Sequence, residues 1–340
     1  MPRRPPAVAR VLERVTATAR EHEMFAPGDL VMVMASGGPD STCLLHSLHL
    51  LRRLLKIRLV AVHVDHRLRP DGAKDAAYVQ RQAERLKVPF VLRTAAGEPQ
   101  RGASVEAWAR AIRYAAAADA AHEAGADRLA TAHTLDDQAE TVLLQLVRGA
   151  GPWGIAGIPP VSGLIVEGVM TRRKPTRVRP LIDVRRSEVE ACCRALRLRP
   201  REDPTNRDTR FLRNAIRLEG LPALERATGR DVKGPIARSA DLLRRNLEEL
   251  GLPRTPDDAY ATAKRTEDGW LVYPHRSPDE AHLRRLVAHL LRSMEAPVSQ
   301  AAVDSVVDLV GGRPGRRRDL GGGLIAVRER EYIRIGRTSP

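Results

Sequence analysis

Met32-Val-Met-Ala-Ser-Gly-Gly-Pro-Asp-Ser-Thr-Cys43 decides how the rest of the chain is read. The apolar run Leu30 to Ala35 has the character of a buried strand. It breaks into Ser36, Gly37, Gly38, Pro39, Asp40, Ser41 and Thr42, and a helical stripe of Leu44, Leu45, Leu48, Leu51 and Leu55 follows at once. A strand passing through a glycine turn into a helix makes an anion site. Glycine lets the backbone approach an oxyanion closely, and a helix start offers unpaired N–H groups at its positive dipole end. The hydroxyls of Ser36, Ser41 and Thr42 add donors. Asp40 is out of place beside phosphate unless a Mg²⁺ lies between them.

The turn has no lysine in the Walker position, so it is not a Gly-x-x-x-x-Gly-Lys-Ser/Thr loop. Strands and helices alternate outward from it. Further strands are expected at Arg58–Val64, Phe90–Leu92 and Arg128–Ala132. Helices are expected near 8–23, 75–86, 104–124 and 135–147, the last capped by Thr134. Such alternation predicts an α/β fold with a doubly wound parallel sheet. Ligands in these folds lie beyond the C-terminal strand ends, where Ser36–Ser41, Asp65-His66 and His133 all fall. Residues 149–180 read as a loop, and a helix begins near Ser187. Another helix runs from Arg210 to Leu218. The expected domains are a catalytic one over 1–220, a helical linker over 221–254 and a small α+β domain over 255–340.

The chain has 340 residues and a formal charge of +15, which points to a polyanionic partner. No apolar run approaches the roughly 18–20 residues of a membrane helix. The basic N-terminus lacks an apolar signal core, so a cytoplasmic location with no membrane contact is expected. Cys43, Cys192 and Cys193 form no C-x-x-C pattern and signal neither a disulfide framework nor a metal site.

Three further stretches carry chemistry. In His133-Thr-Leu-Asp136-Asp137-Gln-Ala-Glu140, helical spacing brings His133, Asp136, Asp137 and Glu140 together. Acids in a first helical turn also complement the macrodipole, but that accounts for neither His133 nor Glu140. An acidic pocket beside a nucleotide loop suits Mg²⁺ or a cationic substrate. Glu106, Arg110, Arg113 and Tyr114 recur at helical spacing, and an exposed Glu–Arg pair is the plainer reading of that set. Residues 172–217 hold 14 arginines and one lysine against six acids. Within them Arg207, Arg210, Arg213 and Arg217 lie three or four apart. A helix through them would present a cationic stripe to RNA phosphates, or would pair with Asp203 or Glu219 at a domain junction.

The Ser36–Thr42 turn resembles the phosphate loop of the PP-loop ATP pyrophosphatases. Together with His63-Val-Asp-His-Arg-Leu-Arg69, Ser104–Tyr114, His133–Thr141 and Asp203–Arg217, it resembles the tRNA(Ile)-lysidine synthetase family over about residues 25–220. Asp319–Arg328 is more weakly similar to that family's C-terminal substrate-recognition domain. Gly149-Ala-Gly-Pro-Trp-Gly154 departs from its usual pattern.

The resemblance implies a Rossmann-like PP-loop fold, with ATP and Mg²⁺ as cofactors. It implies ATP-dependent joining of L-lysine to the wobble cytidine of tRNA(Ile) with a CAU anticodon. The ATP-binding residues would be Ser36, Gly37, Gly38, Pro39, Asp40, Ser41, Thr42 and His63, with Asp40 catalytic as well, on the metal. Arg113 and His133 would act in adenylation. Asp136, Asp137 and Glu140 would receive lysine, Asp137 and Glu140 catalytically, and Arg207, Arg210, Arg213 and Arg217 would bind the tRNA. Assembly is left open between monomer and homodimer. Two rival readings are a tRNA thiolase on the same fold and a non-catalytic nucleotide-sensing RNA binder.

Overall fold

The computed structural model describes residues 4–65, 72–94, 105–163, 175–201, 208–250, 263–266, 268–277, 279–294 and 299–337; for residues 105–111 and a few others only the backbone is described. The chain divides into two compact units, Met1–Arg244 and Arg245–Pro340.

The first unit opens with α1 (Pro6–Glu21), β1 (Leu30–Met34), α2 (Pro39–Leu51), β2 (Arg58–Asp65), α3 (Gly72–Leu86) and β3 (Phe90–Thr94). It continues with α4 (Val105–Glu123), β4 (Arg128–Ala130), α5 (Leu135–Val147), α6 (Pro152–Ile155), β5 (Val161–Gly163) and β6 (Thr176–Val178). Then come α7 (Arg186–Ala195), α8 (Leu212–Ala215), a π-helical turn (Ile216–Gly220), α9 (Leu221–Thr228) and α10 (Lys233–Glu249), whose residues after Arg244 belong to the second unit. The strand order is β3-β2-β1-β4-β6-β5. Every pairing is parallel except β5 with β6. The expected doubly wound α/β sheet is therefore present.

Burial explains the layering. Val31 and Val33 of β1 face Leu44, Leu45 and Leu48 of α2, with α1 and α7 on the same side. Met32 points the other way, with Val60 and Val62 of β2, and packs on Ala117, Ala118, Ala120 and Ala121 of α4. The run of small alanines lets that helix lie close to the sheet. The chain winds from β1 out to β3 and returns to β4 on the other side of β1, so β1 and β4 bound the switch point where a crevice opens.

The structure departs from the sequence reading in two places. The segment read as a loop over 149–180 contributes α6 and two three-residue strands with little periodicity to betray them: β6, parallel to β4, and β5, antiparallel to β6 at the sheet edge. The helix expected from Arg210 starts only at Leu212, since Arg210 lies in a turn.

In the described residues the second unit has a five-stranded antiparallel sheet with two helices packed on it. Its strands are β7 (Ala263–Thr266), β8 (Gly269–Val272), β9 (Arg317–Gly321), β10 (Leu324–Arg328) and β11 (Ile333–Arg337), in the order β7-β8-β11-β10-β9. The helices α11 (Glu280–Ser293) and α12 (Gln300–Asp308) cover one face through Leu286, Leu290, Val303 and Val306, against Trp270, Ala326 and Ile335. The expected α+β character holds.

Candidate active site

Ser41 is the hub of the turn after β1. Its Oγ accepts from the backbone N–H of Ser36 at 3.1 Å and of Gly37 at 3.2 Å, and it donates to the Gly38 carbonyl at 3.1 Å. Ser36 Oγ lies 3.1 Å from the same hydroxyl. Gly37 adopts φ +90°, a left-handed conformation that favours glycine. Pro39 then starts α2, where its missing N–H is no loss. Thr42 is buried and donates to the Gly37 carbonyl at 3.3 Å, so its hydroxyl braces the turn from below. His63 is buried too, with Nδ1 2.8 Å from the Ala35 carbonyl oxygen.

A cavity of about 930 Å³ opens above this turn. Ser36, Gly38, Pro39, Asp40, Ser41, His63, Arg113, His133, Asp136, Asp137, Glu140, Arg213 and Arg217 all line it. The fold thus brings together most of the site residues expected from sequence. Arg207 and His66 lie outside the described residues. Arg210 points elsewhere: its side chain is 90% exposed and pairs with Asp208 at 2.7 Å.

The acidic wall is built by a capping box. Thr134 Oγ1 accepts from the Asp137 N–H at 3.3 Å, while Asp137 Oδ2 accepts from the Thr134 N–H at 2.8 Å. This fixes Asp137 and, one turn later, Glu140, which is only 1% exposed. Buried carboxylates need counter-charges, and the chain supplies them. Arg186 lies 3.3 Å from Asp137 and 3.0 Å from Glu140. Arg213 lies 3.0 Å from each. Asp136 pairs with Lys233 at 3.3 Å and accepts the Arg186 N–H at 2.8 Å.

These partners set the protonation states. Burial pushes Asp137 up, but Arg186 and Arg213 outweigh it, and His133 adds to them, leaving the carboxyl at about 2. Burial, and next the charge on Asp137, hold Glu140 above the usual carboxylate range. Burial raises Asp40 to about 7; Arg186, 3.9 Å away, opposes this, while Asp137, Asp136 and Glu140 reinforce it. Asp40 Oδ1 is buried without a hydrogen-bond partner. Such an orphan acceptor at the nucleotide turn fits a Mg²⁺ ligand. No group of three or more His, Cys, Asp or Glu able to hold a metal exists among the described residues. One carboxylate plus substrate phosphates is an ordinary Mg²⁺ set.

Arg186 and Lys233 line the cavity and pair with its acids, and sequence reasoning missed both. No local pattern marks either one. The signal available was charge balance, since three acids within one buried turn require cations from elsewhere in the chain. The three cysteines are buried below the turn, where the Cys193 thiol donates to the Pro39 carbonyl at 3.6 Å; none lines the cavity.

The profile of the PP-loop domain family matches residues 10–224. A curated tRNA(Ile)-lysidine synthase from Clostridium perfringens is 31% identical over 330 residues, covering 95% of this chain and 68% of the relative. The chain belongs to the tRNA(Ile)-lysidine synthase family. Another lysidine synthase, from Symbiobacterium thermophilum, is 45% identical over 247 residues, 71% of this chain. The chain spans about half the length of that relative, 49%. Among solved structures, the U34-tRNA thiolase NcsA from Methanococcus maripaludis with its [4Fe-4S] cluster is 18% identical with a TM-score of 0.57, covering 70% of this chain and 80% of that one. That likeness shows the fold alone. No described helix is long and apolar enough to cross a membrane.

Proposed function

We propose that the chain joins L-lysine to C2 of the wobble cytidine, position 34, of tRNA(Ile) with a CAU anticodon. ATP is consumed, and lysidine, AMP and diphosphate are formed. The reading changes codon recognition from AUG to AUA and amino-acid identity from Met to Ile. The observation that carries it is the shared cavity, with an anion-binding turn on one wall and an acidic helix end on another.

In the first step the cytidine C2 oxygen attacks the α-phosphorus of ATP and diphosphate leaves. The N–H groups at the turn and the hydroxyls of Ser36 and Ser41 hold the phosphates. Asp40 would hold Mg²⁺, which supplies charge neutralisation at the phosphates when bound. Arg113 and His133 stand in the same cavity, placed to offset charge that develops during transfer. In the second step the lysine ε-amine adds at C2 and the oxygen leaves with AMP.

Lysine reaches this site as a cation. Freeing its ε-amine at pH 7 costs about 4.6 kcal/mol for an ordinary side-chain pKa near 10.4. On the acidic wall Asp136, Asp137 and Glu140 face Arg186, Arg213 and Lys233, three acids against three cations. Asp137, held near 2, is a weak base; Glu140, held higher, is the better proton acceptor of the pair.

The arginine-rich surplus of the chain favours RNA as the partner, and Arg217 at the cavity wall is one phosphate contact of this reading. Incubation with ATP, lysine and a CAU-anticodon tRNA(Ile) tests the proposal. Diphosphate release and a lysine adduct on the tRNA are expected. A thiolated product, or tRNA binding without any AMP formed, would replace it with one of the two rival readings.

A further inference from the structure

The cavity's acids are almost all engaged by the chain itself. Asp136, Asp137 and Glu140 hold Lys233, Arg186 and Arg213, and Asp231 accepts both terminal nitrogens of Arg185 at 2.9 and 2.6 Å. Each of these carboxylates is already neutralised by a cation of the chain, so an ammonium arriving there meets a charge that is already matched. Glu225 differs. It stands on α9, lines the same cavity and is partly buried, and its carboxylate makes no ion pair or hydrogen bond among the described residues. The backbone there is settled, since the Glu225 carbonyl accepts the Gly229 N–H at 2.9 Å and closes the helix. The orphan Oδ1 of Asp40 in the same cavity is an independent sign that cationic ligands complete this site.

Lysine carries two ammonium groups with different fates. The ε-amine must lose its proton to attack, so a carboxylate clasping it as an ammonium would oppose the reaction. The α-ammonium stays charged throughout and requires a permanent counter-ion. We propose that Glu225 receives the α-ammonium of the amino-acid substrate, and so anchors the end of lysine that does not react. This assignment rests on the lysine reading of the cavity given above. It implies selection against amines of the same length that lack the α-amino group.

Calorimetric titration tests it with the full chain, tRNA(Ile) and a non-hydrolysable ATP analogue. The ligands are L-lysine and 6-aminohexanoate, which is lysine without its α-amino group. Glu225→Gln is expected to weaken lysine about tenfold or more, the scale of one charge-assisted hydrogen bond. The affinity for 6-aminohexanoate should change less than about twofold, because that ligand never made the contact. Glu225→Asp should fall between. Unchanged lysine affinity, or an equal loss for both ligands, overturns the assignment; an equal loss with a lowered melting temperature identifies a structural role instead. A wild-type protein that binds lysine but forms no lysidine fails the functional reading alone, and one that binds no lysine fails both.

Discussion

Arg213 donates from Nε to Oε2 of Glu140 at 3.0 Å, across 73 residues of chain. Its neighbour in the basic motif, Arg210, reaches Asp208 two residues away and no other acid among the described residues. Two arginines three positions apart therefore do different work. One is locked into an acidic wall and the other is held out in water.

Replacing them separates the two roles. Arg213→Ala strips a counter-ion from a nearly fully buried carboxylate, a change that costs about 3–5 kcal/mol for a buried pair and lowers the melting temperature by roughly 5–15 °C. Arg210→Ala should leave the melt within about 2 °C, because an exposed pair contributes little. If Arg210 touches tRNA phosphate, its loss also flattens the salt dependence of binding by roughly 0.7–0.9 log units per log salt. Melting curves beside tRNA titrations at several salt concentrations check both outcomes. A flattened slope in Arg213→Ala with an unchanged melt would contradict the buried-pair role.

Asp137 links stability to acid. Its folded pKa of about 2 lies below the unfolded value of about 3.9. Its contribution is therefore fully present above pH ~4 and is lost as pH falls toward 2. Asp137→Asn should melt lower than the parent at pH 7, show a shallower decline between pH 5 and 2.5, and converge with the parent near pH 2. Parallel curves across that range would mean that the carboxylate is not held by its arginines.

Asp40→Asn keeps the shape of the side chain and removes the charge that suits Mg²⁺. The rate of diphosphate release should fall at least ~100-fold, a loss of a few kcal/mol of charge stabilisation. Binding of tRNA should persist. Undiminished AMP formation would remove Asp40 from the metal.

Gly37→Ala probes the turn itself. A Cβ there meets the Tyr78 ring at an ordinary 3.5 Å, so space is not the obstacle. The φ of +90° is, and a left-handed L-residue costs roughly 1–2 kcal/mol. The expected result is a KM for ATP raised about tenfold as the turn relaxes and the donors swing away from the phosphates, with lysine affinity changed less. Equal effects on both substrates would point to a general collapse of the site.

Local order sufficed to read the sheet and the nucleotide turn. The apolar run before Ser36, the two glycines, Pro39 at the helix start and the Thr134 cap each specify backbone within a few residues, and their alternation specifies a parallel sheet. The strands β5 and β6 were not legible, because three residues carry too little periodicity where no longer apolar run surrounds them. The pairing of charges was not legible either. Helical spacing put Asp136, Asp137 and Glu140 on one face, but nothing in the linear order links them to Arg186, Arg213 and Lys233, 46 to 97 residues further on. Only the tertiary structure decided that Arg213 faces inward while Arg210 faces water, and that Glu225 has no partner among the described residues in a cavity whose other acids are mostly paired. The physical reason is that a buried charge takes whichever counter-ion the packing brings within a few ångströms. That distance is set by how α5, α7, α8 and α10 converge, and no stretch of sequence contains it.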